Sequence, residues 1–213
     1  PCVNAILESG IRRVIIGSSD PNPLVSGKGI RILKEHGIEV TENVLKEECD
    51  KLNEAFFYDI QNQKPYVAMK YAMTMDGKIA TYTGASRWVT GEAARMHVQK
   101  QRLKYTGIMA GVGTVLADDP MLTCRLENGR NPVRIICDSH LRTPLNSRIV
   151  KTASTIPTIF ATSSKDQQKI KNYEELGCQV LYVPEKNGHI DLNRLMELLG
   201  AEKIDSILLE GGG

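Results

Sequence analysis

Residues 158–183 read TIFATSSKDQQKIKNYEELGCQVLYV, and this stretch decides the fold class. Its first four residues are a short apolar run typical of a buried strand, and residues 179–183 form a second such run. Residues 165–176, between them, have a charged helical pattern. The stretch therefore predicts a strand, a helix and a strand in succession, which is the unit of an α/β sheet.

The same alternation extends over the rest of the chain from residue 66 onward. It predicts a largely parallel α/β sheet with helices on its faces. Ligands of such sheets bind beyond the carboxyl ends of the strands, so we expect the functional residues in the loops that follow strands. Residues 111–120, GVGTVLADDP, are predicted to be one of these loops. Further strands are predicted at 66–73, 108–112, 133–137 and 206–209, and further helices at about 92–105 and 191–200.

The first 64 residues carry a shorter pattern of their own. Residues 43–64 are predicted to form one charged helix, and Pro65 disfavours helical backbone at the residue before it. The domain junction is therefore predicted there, with one domain at 1–64 and a second at 65–213. Upstream of the charged helix, the pattern predicts a helix at 3–9, a buried parallel strand at 14–16, a helix near 30–36 and a strand at 38–40.

Composition places the chain among ordinary globular proteins. Its 213 residues are enough for one to two domains, and 41% are hydrophobic. With 27 basic and 25 acidic residues, the net charge of +2 gives no electrostatic reason to expect nucleic acid or a membrane surface as a partner. Small molecules are the favoured partners, and a reducing cytoplasm is the expected location.

Neither a disulfide framework nor a complete zinc site can be read from the residues alone. The five cysteines are scattered and form no CxxC pair, and the four histidines lack metal-ligand spacing. The cysteines are Cys2, Cys49, Cys124, Cys137 and Cys178.

Four predicted strand ends carry unusually polar chemistry, with acids, an amine, hydroxyls and glycines. Glycines after a strand allow backbone N–H groups to approach a phosphate, and the run at 211–213 is the better candidate for this role. GVGTVL is not a dinucleotide fingerprint, because Leu116 replaces the third glycine. Either glycine cluster is also compatible with a plain turn.

The individual side chains leave alternatives open. Arg102 and Arg125 could bind a phosphate bidentately or could simply be solvated. Trp88 could stack on a flat heterocycle or pack at the rim of the core. Asp118 could exchange protons with a substrate or belong to an Asp-Asp-Pro turn. Thr90 is predicted to cap the helix that carries Arg102.

Taken together, four blocks in fixed order make the sequence specific. They are KYAMTMDGKIATYTGASRWVTG (70–91), GVGTVLADDPMLTCR (111–125), VRIICDS (133–139) and LLEGGG (208–213). In this order the chain resembles the reductase domain of the bifunctional deaminase–reductase family of riboflavin biosynthesis. The resemblance implies a dihydrofolate-reductase-like α/β domain. Its implied activity is NADPH-dependent reduction of the ribose of 5-amino-6-(5-phosphoribosylamino)uracil to a ribityl chain.

The resemblance also implies roles for individual residues. Lys70 and Asp118 are the candidates for assisting proton transfer. The implied substrate contacts are Ser86, Arg102, Leu122, Arg125 and Glu210, with the arginines near the ribose phosphate. The implied cofactor contacts are Ala72, Trp88, Thr114, Asp118, Ser139, Gly212 and Gly213.

The N-terminal piece resembles the end of the family's cytidine-deaminase-like zinc domain. Cys2 would be a zinc ligand in the intact protein, and zinc is expected only there, because the other ligands of the family are absent from this sequence. We therefore expect a fragment without deaminase activity, whose reductase domain is also truncated at its C-terminus. Family members usually assemble into homo-oligomers. The alternative function is that of a non-catalytic nucleotide-binding fragment.

Overall fold

A computed structural model describes residues 2–86 and 88–211. The chain divides into two compact units, Pro1–Tyr66 and Val67–Gly213. Among the described residues, no helix is long and apolar enough to cross a membrane.

The first unit contains four helices and a two-stranded parallel sheet within its described residues. The two strands pair in register at Val14 and Val40. The elements are α1 (Cys2–Glu8), β1 (Arg13–Ile15), α2 (Lys28–Glu35), β2 (Glu39–Thr41), α3 (Lys46–Leu52) and α4 (Glu54–Asn62).

Two predictions for this unit are wrong. The charged helix expected at 43–64 is two helices that meet at Asn53, whose side-chain amide donates a hydrogen bond of 2.9 Å to the carbonyl of Cys49. This side-chain bond to the backbone one turn earlier competes with a continuous helix. The first strand is parallel as predicted but is not buried, since Ile15 is 59% exposed.

The second unit is built on a six-stranded sheet with the order β3-β10-β4-β5-β6-β7. The pairs from β10 to β7 are all parallel. A short antiparallel hairpin is formed by β8 and β9. The strands are β3 (Tyr66–Lys70), β4 (Gly107–Gly111), β5 (Val133–Cys137), β6 (Thr158–Thr162), β7 (Gln179–Tyr182), β8 (Glu185–Lys186), β9 (His189–Ile190) and β10 (Ser206–Glu210). The helices are α5 (Glu92–Lys104), α6 (Val112–Asp118), α7 (Arg148–Lys151), α8 (Gln167–Glu175) and α9 (Leu192–Ala201).

Local chemistry explains why residues 158–183 form the predicted unit. Every residue of β6 is buried, as expected for a central strand covered on both faces. Asp166 caps α8 by accepting a hydrogen bond from the amide of Lys169. Gly177 follows the helix with a φ of 87°, a conformation that residues with a Cβ rarely adopt. The strand, helix and strand predicted from this stretch are confirmed.

The core lies on both faces of the sheet. Ile108, Ile136 and Phe160 belong to one buried cluster, which includes Tyr173 of α8. Met109, Ile135 and Ile159, their neighbours in sequence, belong to a second cluster with leucines of α9. This alternation is the two-residue period of β-strands, and it fixes the register of the sheet.

The second unit also differs from the sequence prediction in several elements. The first strand ends at Lys70 rather than at residue 73, and α6 forms where a loop was expected. Gly91, not Thr90, is the residue before α5, and it makes no side-chain capping bond. The short helix α7 and the hairpin of β8 and β9 were not predicted.

Candidate active site

Two adjacent cavities lie at the carboxyl end of the sheet, where β3 and β10 end at Lys70 and Glu210. The larger has a volume of about 620 Å³ and the smaller about 220 Å³. They are adjacent because Trp88, Arg102 and Arg125 line both. Other residues of the larger lining include Asp118, Met121, Leu122, Thr123 and Arg148, and those of the smaller include Lys70, Ala72, Ser86, Arg95, Gln99 and Glu210.

Most of the residues expected at the site therefore come together, although some of them, such as Lys70 and Glu210, stand near opposite ends of the second unit's sequence. Thr114 and Ser139 lie outside both linings. Gly212 and Gly213, expected to contact the cofactor, lie outside the described residues. Cys2 is exposed in α1 of the first unit.

Ser139 joins three segments at the carboxyl end of the sheet. Its hydroxyl accepts a hydrogen bond of 3.3 Å from the amide of Ile190. Its carbonyl accepts bonds from the hydroxyls of Thr162 and Ser163. The residue therefore holds the loops after β5 and β6 together.

Arg102 and Glu210, both expected to contact substrate, are bonded to each other. The Nε and Nη2 atoms of Arg102 each donate a 2.8 Å hydrogen bond to one carboxylate oxygen of Glu210. The remaining terminal nitrogen, Nη1, donates to the carbonyl of Thr123 at 2.8 Å. The side chains are only 13% and 10% exposed, so this pair joins α5, β10 and the wall of the larger cavity in a partly desolvated setting.

Arg125 is held by its backbone rather than by its side chain. Its amide donates to the Oε1 atom of Gln99 at 2.9 Å, and Gln99 is buried. The amide of Cys124 donates to Asn131 at 3.1 Å. The backbone is thus held at two successive amides, while Arg125 itself is an exposed residue in the lining of the cavity.

We call the loop at residues 119–123 the floor of the larger cavity, because Pro120, Met121, Leu122 and Thr123 line it. This loop is strained. Asp119 and Leu122 have φ values of 38° and 50°, in the left-handed region that non-glycine residues rarely adopt. Leu122 is buried, which keeps it in place. Such conformations persist only where the surroundings determine them, and they are common at ligand sites.

Arg134 on β5 is one of the groups that determine this loop. It is completely buried, and the acceptors of its hydrogen bonds are all carbonyl and hydroxyl oxygens. One bond, of 3.4 Å, goes to the carbonyl of Met121 in the loop, and another, of 2.9 Å, goes to the carbonyl of Ile149 in α7. Burial lowers the pKa of Arg134 from 12.5 to about 10, because desolvation disfavours the charged form.

Trp88 lies in the linings of both cavities and is 75% exposed. The guanidinium carbon of Arg95 lies 4.5 Å from the centre of its ring. Arg95 is in turn fixed by a 2.8 Å hydrogen bond from Nη1 to the carbonyl of Thr90. One face of the indole is therefore supported by a cation, and the side chain leaves a broad aromatic surface for a ligand.

Sequence reasoning missed three functional candidates, Arg95, Gln99 and Arg148. A signal for the first two existed, because Arg95, Gln99 and Arg102 follow the i, i+4, i+7 spacing of one helix face. No comparable signal existed for Arg148, since α7 itself was not predicted.

No metal centre is formed by the part of the chain that the structure describes. Within residues 2–86 and 88–211, no group of three or more His, Cys, Asp or Glu side chains is placed to hold a metal ion.

Comparison with known proteins decides the family. The model of the RibD C-terminal domain family matches residues 65–213. The chain belongs to the RibD C-terminal domain family. The resemblance inferred from the four sequence blocks is thereby confirmed.

The matches between this RibD-family chain and its curated relatives cover the whole chain. It is 55% identical to the riboflavin biosynthesis protein RibD of Actinobacillus pleuropneumoniae, with 100% of this chain and 56% of the relative covered. A RibD from Aquifex aeolicus is 42% identical, with coverage of 100% and 58%. The chain thus spans little more than half the length of the curated relatives it matches.

A solved structure of a RibD-family protein has the same fold. It is described as a diaminohydroxyphosphoribosylaminopyrimidine deaminase/5-amino-6-(5-phosphoribosylamino)uracil reductase from Thermotoga maritima, and it matches with a TM-score of 0.83 at 39% identity. The match covers 100% of this chain and 57% of that one. The prediction of an α/β fold of the dihydrofolate-reductase type is confirmed by this similarity.

Proposed function

We propose that the second unit is an NADPH-dependent reductase that converts the ribose of 5-amino-6-(5-phosphoribosylamino)uracil to the ribitylamino product in riboflavin biosynthesis. The observation that carries this proposal is the convergence of residues from separate sequence blocks on two adjoining cavities. Lys70, Trp88, Asp118, Arg125 and Glu210 line this space together. Membership in the RibD C-terminal domain family supports the same reaction.

Open space beside three glycines at this end of the sheet supports the binding of a dinucleotide there. A Cβ atom added at Gly111, Gly113 or Gly211 would meet no atom within 4 Å, so there is space beside the backbone for a bulky anionic group. Together with Gly212 and Gly213, Ala72, Trp88, Thr114, Asp118 and Ser139 would hold NADPH. When bound, NADPH supplies a hydride.

The chain's own residues would bind the substrate and handle protons. Ser86, Arg102, Leu122, Arg125 and Glu210 would contact the pyrimidine substrate. The ammonium nitrogen of Lys70 and the carboxylate of Asp118 would exchange a proton with the ribose, and the proposal is supported by their positions in the linings of the smaller and the larger cavity. Trp88 and Leu122 would exclude water from the space between the ligands.

We further propose that residues 1–64 are the C-terminal part of a deaminase domain with a linker helix, and residues 65–213 the reductase domain. In the intact protein Cys2 would be one ligand of a zinc ion, and the zinc-dependent deamination would belong to that protein. We also propose that the chain forms a homo-oligomer and that neither nucleic acid nor a membrane is its partner.

The test is the loss of NADPH absorbance when the chain is mixed with the deaminated pyrimidine substrate. We expect NADPH to be consumed, and we expect Lys70→Met and Asp118→Asn to slow this reaction. Lys186→Met serves as the matched control, because Lys186 is exposed in the hairpin of β8 and β9. If NADPH binds without being consumed, the chain is the alternative, a non-catalytic nucleotide-binding protein.

A further inference from the structure

The lining of the larger cavity includes an arginine with no role in the reaction proposed above, Arg148 at the start of α7. We propose that Arg148 joins Arg125, which is already expected near the ribose phosphate, in binding a phosphoryl group in this cavity. The inference rests on the proposed function, because it names the part of the ligand that this end of the site holds.

The charges in the cavity favour these two arginines as the anion site. The charge of Arg102 is already compensated by its two bonds to Glu210. Asp118, the acidic residue in the lining, also interacts with another group of the protein. Arg125 and Arg148 make no side-chain hydrogen bond or ion pair to any other residue among those the structure describes. Two guanidiniums without a partner among the described residues match a phosphate monoester, which carries roughly −1.5 to −2 charges at neutral pH.

The backbone of Arg148 is fixed although its side chain is exposed. Its amide donates a 2.8 Å hydrogen bond to Oδ1 of Asp119, in the strained floor of the cavity. Its carbonyl accepts one of 2.7 Å from the hydroxyl of Thr152. The next residue, Ile149, is completely buried, and its carbonyl accepts a bond from Arg134. The Cα of Arg148 is thus held at the cavity wall.

Arg125 is fixed in the same way from the other side of the floor. Its amide donates to the buried Gln99, and the segment before it is held by Arg102 through the carbonyl of Thr123. Both arginines are therefore exposed residues whose backbone amides are hydrogen-bonded within the protein. The volume of about 620 Å³ is within the range of sites that enclose small-molecule ligands.

The phosphoryl group could come from either ligand of the proposed reaction. A ribose phosphate and the phosphates of a dinucleotide present the same chemistry to two guanidiniums. Three probes separate these sources, namely ribose 5-phosphate, NADP⁺ and NAD⁺. Binding is followed through the fluorescence of Trp88, which lines the same cavity and is the single tryptophan of the chain.

We expect Arg148→Gln to weaken the binding of at least one phosphorylated probe by about 10- to 100-fold, the effect of losing a charge-assisted hydrogen bond. Arg148→Lys should weaken it less, because it keeps the charge but not the planar fork. A loss confined to ribose 5-phosphate assigns the site to the substrate. A loss for NADP⁺ alone assigns it to the 2′-phosphate, and an equal loss for NADP⁺ and NAD⁺ assigns it to the diphosphate.

Arg194→Gln is the matched control, since Arg194 is an exposed arginine on α9 outside both linings. Wild-type affinities for all three probes in the folded Arg148→Gln variant would overturn the proposal. Failure of the proposed function has a different signature. In that case the wild-type chain would not oxidise NADPH, while its phosphate binding would still depend on Arg148.

Discussion

Arg102 on α5 and Glu210 at the end of β10 form a bidentate ion pair, in which both nitrogen–oxygen distances are 2.8 Å. The pair lies in the lining of the smaller cavity and connects a helix to the sheet. Each partner neutralises a charge that would otherwise be desolvated alone. The two residues therefore depend on each other, and neither can be treated as a separate ligand contact.

This dependence predicts a large coupling free energy between the two residues. We expect Arg102→Ala or Glu210→Ala to lower the free energy of unfolding by about 3 kcal/mol, because each leaves a mostly buried charge uncompensated. The double variant should lose clearly less than the sum of the two single losses. Urea denaturation of the four proteins measures the coupling.

The exposed pair of Arg194 and Glu197 provides the comparison. Its side chains are 51% and 44% exposed, so the same cycle should give a coupling below about 1 kcal/mol. Additive losses at Arg102 and Glu210 would show that the ion pair contributes nothing to stability.

The fold of the second unit could be predicted because its signals are local. Strands β5 and β6 are short apolar runs, and Asp166 and Gly177 mark the ends of α8. Helix α6 could not be predicted in this way, since its sequence VGTVLAD has two β-branched valines and a glycine, which disfavour a helix. The burial of Val112 and Val115 stabilises it through tertiary packing instead.

The same distinction between local signals and tertiary packing applies to the candidate site. The family blocks predicted many residues that line the cavities, such as Lys70 and Arg125, but neither Arg148 nor the groups that hold the lining in place. Arg134 stands in the strand run VRIIC, and its acceptors lie between 13 residues earlier, at Met121, and 24 residues later, at Thr158. Partners this distant leave no periodic signal in the sequence, so the burial of this arginine could not be predicted.

Gly177 should tolerate alanine much less well than Gly188. Both have a positive φ, of 87° and 80°. A Cβ at Gly177 would also lie 3.0 Å from the backbone of Ser154, whereas a Cβ at Gly188 would meet no atom within 4 Å. We expect Gly188→Ala to reduce the free energy of unfolding by about 1 kcal/mol, from backbone strain alone. Gly177→Ala should reduce the free energy of unfolding by at least twice as much, as measured by urea denaturation. Equal reductions for the two variants would contradict the steric argument.

The buried thiol of Cys178 predicts that stability falls in alkali. Burial raises the pKa of Cys178 from 9.0 to about 11, because the thiolate is disfavoured. Between these values the folded chain keeps a proton that the unfolded chain has lost. The contribution of the Cys178 thiol to stability is therefore complete below pH 9 and is lost as the pH rises through about 11. The full effect is on the order of 3 kcal/mol, at roughly 1.4 kcal/mol per pH unit.

Other buried groups titrate in the same range and must be separated from Cys178. Burial also raises the pKa of Tyr173 and that of Cys137, the latter to about 12. Arg134 acts in the opposite direction, since its lowered pKa makes the unfolded chain the better proton binder above about pH 10. The comparison is therefore with Cys178→Ala, whose stability should fall less steeply above pH 9. Cys2→Ala, which removes an exposed thiol, should follow the wild-type curve.

The buried guanidinium of Arg134 should not be replaceable by lysine. Its hydrogen bonds reach the carbonyls of Ile149 and Ile156 and the hydroxyls of Thr152 and Thr158. Lysine has three donors on one nitrogen and cannot reach acceptors spread around a planar fork. We expect Arg134→Lys to reduce the free energy of unfolding by about 3 kcal/mol, since each buried carbonyl left unpaired costs about 1–3 kcal/mol. Arg194→Lys, at an exposed position, should change it by less than about 0.5 kcal/mol.

The contact between Arg95 and Trp88 should be visible in tryptophan fluorescence. The guanidinium lies 4.5 Å from the ring centre and is itself held by the carbonyl of Thr90. Replacing Arg95 with Met removes the cation and the bond to Thr90, so the ring should move more freely and the fluorescence anisotropy should fall. Trp88 is the single tryptophan of the chain, so the signal has one source.

The same substitution connects the ring to the proposed cofactor. If Arg95 holds the indole in the orientation that NADPH needs, Arg95→Met should weaken NADPH binding about 2- to 5-fold, matching the roughly 0.5–1 kcal/mol of an exposed cation–π contact. Arg95→Lys keeps the cation and should lose less. A fall in anisotropy with unchanged NADPH affinity would show that the contact orders Trp88 without preparing it for the cofactor.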